Sequence, residues 1–202
     1  MSKLDAVNDV LALIGKHPTG ALDTGGNSIP AHIERTLDRI DEEVQARGWH
    51  QNTETNVTAT VDGSNNIVVD SDILDMDSDG ADAFRNVTPR AGLLYDLDNN
   101  TSTFTDIDSM KVKQVRKLAF GDLTVKLRRY ISALVAAEIH RQFNKPKDPN
   151  YSALLTMIEN TISQRKAAAV KENDDRSNEN MLTCDDARQV KGYRRRFPYR
   201  PI

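Results

Sequence analysis

Apolar residues three or four positions apart mark two short helices near the start of the chain. The first stripe is Leu4, Val7, Leu11 and Ile14, and the second is Ile33, Leu37, Ile40 and Val44. Such spacing puts every apolar side chain on one face of an α-helix. Each stripe is followed by a glycine, which commonly ends a helix. The pattern predicts helices over 3–15 and 29–47, with Ser28 capping the second.

The spacing changes to an alternation of apolar and polar residues between residues 53 and 118. Val57, Ala59 and Val61 alternate with threonines, and Asp62-Gly63-Ser64-Asn65 has the composition of a turn. Further short strands are predicted at Ile67–Val69, Asp72–Met76, Phe84–Thr88, Leu93–Asp96, Phe104–Asp106 and 110–118. This region is therefore predicted to be a small antiparallel β-sheet.

Helical spacing returns after residue 120 and predicts helices over 121–143 and 149–172. The first of these has a wide apolar band, with Leu123, Leu127, Tyr130, Ile131, Leu134, Val135, Ile139 and Phe143 predicted inside. A band of that width can face two neighbours at once. The predicted fold class is α+β, an α-helical bundle of about four helices with an inserted small antiparallel β-sheet. A domain over 1–182 is followed by an extended tail over 183–202, whose composition is too polar to order alone.

Composition limits the domain number, the cellular compartment and the kinds of site that the chain can have. A chain of 202 residues with 38% hydrophobic residues has the size of one domain. Its one cysteine, Cys184, excludes an internal disulfide and a cysteine-rich zinc site. No apolar run approaches the roughly 20 residues that cross a bilayer, and the first residues lack the layout of a secretory signal. We expect a soluble protein made in a reducing compartment, with no membrane partner.

Charge is distributed unevenly along the chain. Residues 51–109 contain twelve acidic and two basic side chains, whereas residues 188–202 contain six basic and no acidic ones. The net charge of the whole chain is only −3. Opposed charges in one small protein indicate surfaces with different neighbours.

The sequence predicts no catalytic residue, no metal ligand and no cofactor. The four histidines, His17, His32, His50 and His140, lack metal-binding spacing, and the nucleophile and phosphate-binding motifs are absent. Asp75-Met-Asp77-Ser-Asp79-Gly80 opens like a calcium loop, but Asn86 stands where that loop needs a bidentate glutamate. An acidic, solvated connection between strands is the favoured interpretation.

The tail mixes basic and aromatic residues: Arg188, Lys191, Tyr193, Arg194, Arg195, Arg196, Phe197, Tyr199 and Arg200. Arginine and tyrosine dominate protein-interface hot spots, so this segment can dock on a protein. The same residues can contact phosphates and stack on bases, which suits nucleic acid. Plain disorder is the third interpretation, and composition alone leaves all three open.

Three short motifs carry a resemblance to a known family. They are Gln45-Ala46-Arg47-Gly48-Trp49, Leu94-Tyr95-Asp96 and Arg141-Gln142-Phe143-Asn144. In order and spacing, residues 4–182 resemble the tail tubular protein A family of short-tailed, T7-like phages. The motif positions most specific to the resemblance are Arg47, Gly48, Trp49, Tyr95, Asp96, Arg141, Gln142 and Phe143.

The resemblance implies a structural virion protein without catalysis. It implies an adaptor, or gatekeeper, of which about twelve copies form a ring between the portal protein and the tail nozzle protein. Genomic DNA would pass through the channel without specific binding, and the basic tail would lie against the portal. The protein would be made in the host cytoplasm and reside at the head–tail junction of the virion. The residues alone also allow an alternative, a small nucleic-acid-binding module that uses the tail.

Overall fold

The computed structural model describes residues 1–22, 26–144 and 149–183. The helices are α1 (Lys3–Leu13), α2 (Ile29–Gln45), α3 (Val125–Phe143) and α4 (Tyr151–Thr183). The strands are β1 (Thr53–Thr60), β2 (Ile73–Ser78), β3 (Val87–Arg90), β4 (Leu93–Asp96) and β5 (Ser109–Arg116). The α+β class is confirmed: four helices form a bundle, and the strands form a β-module inserted between α2 and α3.

Local signals in the sequence set the first two helices. Ser2 and Asp5 form a capping box at the start of α1, in which Ser2 Oγ accepts from the Asp5 amide at 3.1 Å. Gly15 follows that helix with a φ of +71°, in the left-handed region that glycine adopts at low cost. Ser28 caps α2, and Pro30 lies in its first turn. Each helix ends two residues before its predicted boundary.

Helix α3 is the centre of the bundle and packs against α1, α2 and α4. Its wide apolar band is confirmed for six buried residues, which are Leu123, Leu127, Tyr130, Ile131, Val135 and Ile139. Two predictions for this band are wrong. Phe143, at the last residue of α3, is 43% exposed and its ring lies 5.1 Å from that of His32. Leu134 is only half-buried, at the edge of the core.

The boundaries of the last two helices differ from prediction. Residues Phe120–Asp122 form a separate 3-10 turn, and Thr124 caps α3, which therefore starts four residues later than predicted. Helix α4 continues eleven residues beyond the predicted end at 172. No glycine or proline occurs between Tyr151 and Thr183, and Arg176 pairs with Glu172 one turn earlier at 3.1 Å. The composition and this ion pair therefore favour a helix in the extension, although no apolar stripe indicates one.

The β-module contains two small sheets instead of one. β5 lies between β1 and β2 in an antiparallel three-stranded sheet, and β3 and β4 form a hairpin. Two predicted strands are wrong. Val68, within Ile67–Val69, forms only an isolated bridge with Leu93, and the isolated bridge beside Phe104–Asp106 joins Thr103 to Asn66. The module nevertheless has its own core, formed by Ile67, Val69, Met76, Val87, Leu94, Phe104, Met110 and Val112.

Candidate assembly site

The first motif, residues 45–49, builds the joint between the bundle and the β-module. Gln45 is fully buried at the end of α2. Its Nε2 donates to the Leu118 carbonyl at 3.0 Å, and its Oε1 accepts from the Leu118 amide at 2.8 Å. Leu118 lies just after β5, so one side chain fastens the end of a helix to the chain that leaves the sheet. This fixes the β-module against the bundle.

Gly48 and Trp49 make the sharp turn from α2 into the β-module. Gly48 has a φ of +72°, and a Cβ there would lie 3.3 Å from both Thr53 Oγ1 and Val115 Cγ2. Trp49 Nε1 donates to the Val44 carbonyl at 2.8 Å, while its ring lies 6.5 Å from that of Tyr130 in α3. Glycine is therefore favoured by its conformation, and a Cβ would also press on both neighbouring side chains. Arg47 is exposed beside this turn.

A buried carboxylate supports the joint. Asp41 is 5% exposed, and its Oδ1 accepts from Gln45 Nε2 at 3.0 Å. Burial raises the pKa of Asp41, and the hydrogen bond from Gln45 opposes that rise. The joint therefore contains an acid whose ionised form is unfavourable in the folded state.

The second motif, residues 94–96, divides between the two faces of the β3–β4 hairpin. Leu94 is fully buried, and Asp96 is 5% exposed. The Asp96 carboxylate accepts from the Asn99 amide, the Asp98 amide and Asn99 Nδ2, each at 2.9 Å. Hydrogen bonds from the Asn99 backbone, and then from its side chain and Asp98, lower the pKa of Asp96 despite its burial. Tyr95 points to the other face, where the Arg90 guanidinium lies 4.5 Å from its ring centre.

The third motif, residues 141–144, ends α3 and orients α4. Arg141 pairs with Glu159 at 3.1 Å, and Gln142 Nε2 donates to Glu138 at 3.1 Å. Asn144 Nδ2 lies 2.5 Å from Nδ1 of the buried His140, whose ring stacks on Tyr151 at 4.7 Å. Phe143 is exposed, as described above. Apart from the ring contact of Phe143 with His32 in α2, these contacts lie within the α3–α4 pair.

The predicted portal-docking residues lie outside the residues that the structure describes. These residues are Arg188, Lys191, Tyr193, Arg194, Arg195, Arg196, Phe197, Tyr199 and Arg200. The structure does place the helix that leads to them. His50, at the joint, donates its amide to Asn173 Oδ1 at 2.6 Å, so α4 passes the joint ten residues before it ends at Thr183.

An uncharged outer face on α4 is a feature that sequence reasoning missed. Between 152 and 170, the exposed residues opposite the buried Ile158 and Ala169 are uncharged: Ser152, Ala153, Thr156, Met157, Asn160, Ser163, Gln164, Ala167 and Val170. The exposed Glu159 and Lys166 lie at the edge of this face, and the exposed Lys171 ends it. Thr156 Oγ1 donates to the Ser152 carbonyl at 2.9 Å, and Ser163 Oγ to the Glu159 carbonyl at 3.0 Å. These hydroxyl donors are satisfied within the helix. A helical projection of the sequence would have shown that this face is free of charge.

An ion pair that links α1 to α4 was also missed. Arg165 binds Asp9 through two contacts, at 2.5 and 3.1 Å, and donates to the Arg129 carbonyl at 2.9 Å. Its partners are 156 and 36 residues away in the chain, so no local pattern could have shown the pair. Because the guanidinium is bidentate, it fixes the angle at which α4 crosses the bundle.

Among the described residues, the acidic run over 75–80 and the groove beside α2 were considered as sites for chemistry. Asp75 and Asp77 lie in strand β2, and Asp79 accepts from the Asn56 amide at 2.7 Å, so the acidic run is not a loop between helices. No described group of three His, Cys, Asp or Glu residues is placed to hold a metal ion. A groove of about 630 Å³ between α2 and Leu74 is lined largely by charged residues and crossed by the Lys117–Glu42 pair.

In the part of the chain that the structure describes, no helix is apolar enough over sufficient length to cross a membrane.

Comparison with known proteins supplies the family. No curated protein matches the sequence. The family model described as "Tube: Tail tubular protein" matches residues 4–191. That range includes all three motifs, both modules and the joint between them, so the resemblance seen in the sequence is confirmed. The chain belongs to the tail tubular protein family of phages.

Proposed function

We propose that this chain is a ring-forming adaptor that connects the portal to the tail nozzle of a short-tailed phage. Membership of the tail tubular family makes it a structural component of the virion tail. The adaptor proposal adds a ring of about twelve copies, two protein partners and a channel through which genomic DNA passes. In this role the protein acts through its binding surfaces and not by catalysis. It is made in the host cytoplasm.

The observation that carries the proposal is the uncharged outer face of α4. It extends from Ser152 to Val170, a helical length of about 27 Å. Its side chains are short apart from Met157, Asn160, Gln164 and Val170, and Met157 is 48% exposed. A chain in which 28% of residues are charged leaves few surfaces of this size without charge. Loss of charge is what distinguishes the buried centre of a protein interface from other surfaces.

A ring needs two different faces on each subunit, because its contacts are heterologous. The bundle provides one rigid body for both, since α3 is packed on three sides and Arg165 fixes α4 to α1. The outer face of α4 is the first face, and it meets a different face of the neighbouring copy. A rigid body is needed because small changes in the angle between subunits would prevent the ring from closing.

The basic segment 188–202 is the proposed portal-docking strap. Its arginines and aromatic residues are the types that dominate protein-interface hot spots. We expect deletion of 188–202 to abolish portal binding and to leave the fold unchanged, because both cores lie within residues 6–169. Sedimentation with a matching portal measures binding, and circular dichroism measures the fold. Unchanged portal binding by the shortened chain would contradict the strap.

The acidic β-module supports a channel that does not retain DNA. Residues 51–118 contain twelve acidic and six basic side chains. A basic lumen would bind phosphates through counterion release, whereas an acidic surface repels them. We expect the purified chain not to retain duplex DNA at physiological salt in a gel-shift experiment. Tight, salt-sensitive DNA binding would favour the alternative nucleic-acid-binding module instead.

The ring is tested by placing a charge on the outer face of α4. We expect Ala167→Arg to leave the monomer folded and to prevent rings from forming on the portal, as counted by electron microscopy. Ala12→Arg, which adds the same side chain to an exposed position of α1, is the matched control and should still form rings. Rings formed equally well by Ala167→Arg would exclude α4 from the subunit contact. Failure of both variants would show that any added arginine interferes.

A further inference from the structure

The outer face of the β3–β4 hairpin exposes apolar residues in the acidic part of the molecule. The register pairs Arg90 with Leu93, and an isolated bridge pairs Val68 with Leu93 on its other side. Residues paired across antiparallel strands point to the same face. Val68 is therefore beside Leu93, and it is 60% exposed although both its neighbours in sequence are buried.

The same face continues along β4. Leu93, Tyr95 and Leu97 occupy alternate positions, and the Leu97 amide donates to the Asn86 carbonyl at 2.8 Å, which extends the hairpin by one pair. Leu97 is 40% exposed, whereas Leu94 between Leu93 and Tyr95 is fully buried. We call Val68, Arg90, Leu93, Tyr95 and Leu97 the hairpin patch. Phe84, shortly before β3, is 75% exposed.

The β-module that carries the hairpin patch is rich in carboxylates. Asp70 follows Val68 by two residues, and its side chain is 72% exposed. Among the described residues, eight of the twelve acidic side chains between 51 and 109 have no cationic group within 4.0 Å: Asp62, Asp75, Asp77, Asp79, Asp82, Asp96, Asp98 and Asp108. An exposed apolar patch on an acidic module favours a partner that offers both apolar side chains and cations.

Helix α4 carries such a segment towards the β-module. The helix starts beside His140, passes Arg129 through Arg165, and reaches His50 at Asn173. His50 lies three residues before β1, at the end of the bundle where the β-module is attached. Ten further helical residues carry the chain about 15 Å beyond this contact. Helix α4 therefore ends, at Thr183, on the side of the bundle that carries the β-module.

We propose that the hairpin patch binds segment 184–202 of the same chain until the portal replaces it. The segment contains Tyr193, Phe197 and Tyr199 between its arginines, which matches an exposed apolar patch on an acidic module. Its 19 residues reach about 60 Å when extended, about twice the ~27 Å that an eight-residue strand such as β1 spans. Its release by the portal rests on the proposed docking of 188–202, whereas the contact within the chain does not, so loss of the protection described below would leave portal docking intact.

Trypsin cleavage of the full-length chain at Arg194, Arg195 and Arg196 tests the proposal. When opening is fast, the cleavage rate follows the fraction of time that a segment is free. We expect the chain at low salt to be cut about tenfold more slowly there than a free peptide of residues 184–202. The Val68→Ser, Tyr95→Ser double variant should be cut at nearly the rate of the peptide. Both positions are at least partly exposed, and circular dichroism confirms that the variant folds.

Val125→Ser is the matched control, because it removes a 46% exposed apolar side chain from the start of α3 and should keep the protection. Protection that is the same at all protein concentrations supports binding within one chain. Protection that appears only at high concentration would mean that the segment binds a second copy, which overturns the proposal. Cleavage of the wild-type chain at the peptide rate, or equal protection in the double variant, would also overturn it.

Discussion

The bundle and the β-module are stabilised in different ways. Nineteen buried hydrophobic residues form the core of the bundle, whereas eight form that of the β-module. The smaller core is supplemented by polar contacts, such as the three donors to Asp96 and the bonds from Ser64 and Asn66 amides to Asp62 at 2.8 Å. A two-stranded hairpin such as β3–β4 is at best marginally stable alone and needs further packing. The β-module therefore depends on its turns and on the joint.

The largest effect is expected in the core of the bundle. Ile131 is fully buried at the centre of α3, so Ile131→Ala should lower the free energy of unfolding by about 2–5 kcal/mol. Leu134→Ala, at a half-buried position of the same helix, should cost less than about 2 kcal/mol. Urea unfolding measures both. Equal losses would mean that the faces of α3 are assigned incorrectly.

The next largest loss in the free energy of unfolding is expected at the joint. Gln45→Ala removes the donor to the Leu118 carbonyl and the acceptor of the Leu118 amide, and unpaired buried groups make the expected loss about 2–3 kcal/mol. Hydrogen exchange in β5 should then become faster than in α3, because the two modules no longer open together. Gln142→Ala, an exposed glutamine in α3, is the control and should change neither quantity. If both modules still open together in Gln45→Ala, the proposed role of Gln45 at the joint is contradicted.

A smaller effect is expected in the hairpin turn. Asp96→Asn keeps the shape but replaces an acceptor by a donor that faces Asn99 Nδ2, at an expected cost of about 1–2 kcal/mol. Because the folded-state pKa of Asp96 is lowered, its contribution is present above the unfolded pKa and is lost as the pH falls through the folded value. The variant should therefore lose this part of the acid dependence. Asp98→Asn, at an exposed position, is the control.

The smallest expected change is a gain. The folded-state pKa of Asp41 is raised by burial, so the unfolded chain ionises first as the pH rises and stability falls over that range. Asp41→Asn removes the ionisable group and keeps an oxygen for Gln45 Nε2. We expect a slightly higher Tm than wild type at pH 7 and no difference below the unfolded pKa. A lower Tm at pH 7 would show that the charge of Asp41 stabilises the joint.

The bundle was more predictable from sequence than the β-module, for a physical reason. Helices depend on contacts three or four residues apart, so the stripes and caps of α1 and α2 are visible in the sequence. Strand pairing depends on distant partners. Ile67–Val69 has the apolar content of a strand, yet Ile67 and Val69 bond to the β3–β4 hairpin only through the Leu94 amide and the Gly92 carbonyl.

The roles of the motif residues could not be predicted from spacing. Gln45 is part of a quoted motif, but its partner Leu118 is 73 residues away. The outer face of α4 was missed because the apolar residues that predict a helix show its buried side. The charge-free side is visible only when exposed positions are compared with one another.

The adaptor proposal is tested most directly by particle imaging and mass measurement of the purified chain, alone and then with a matching portal. We expect the chain to join the portal as a closed ring. Ala167→Arg and deletion of 188–202 should each prevent this while the bundle stays folded. A chain that remains a monomer or dimer beside the portal, and shifts duplex DNA instead, would contradict it.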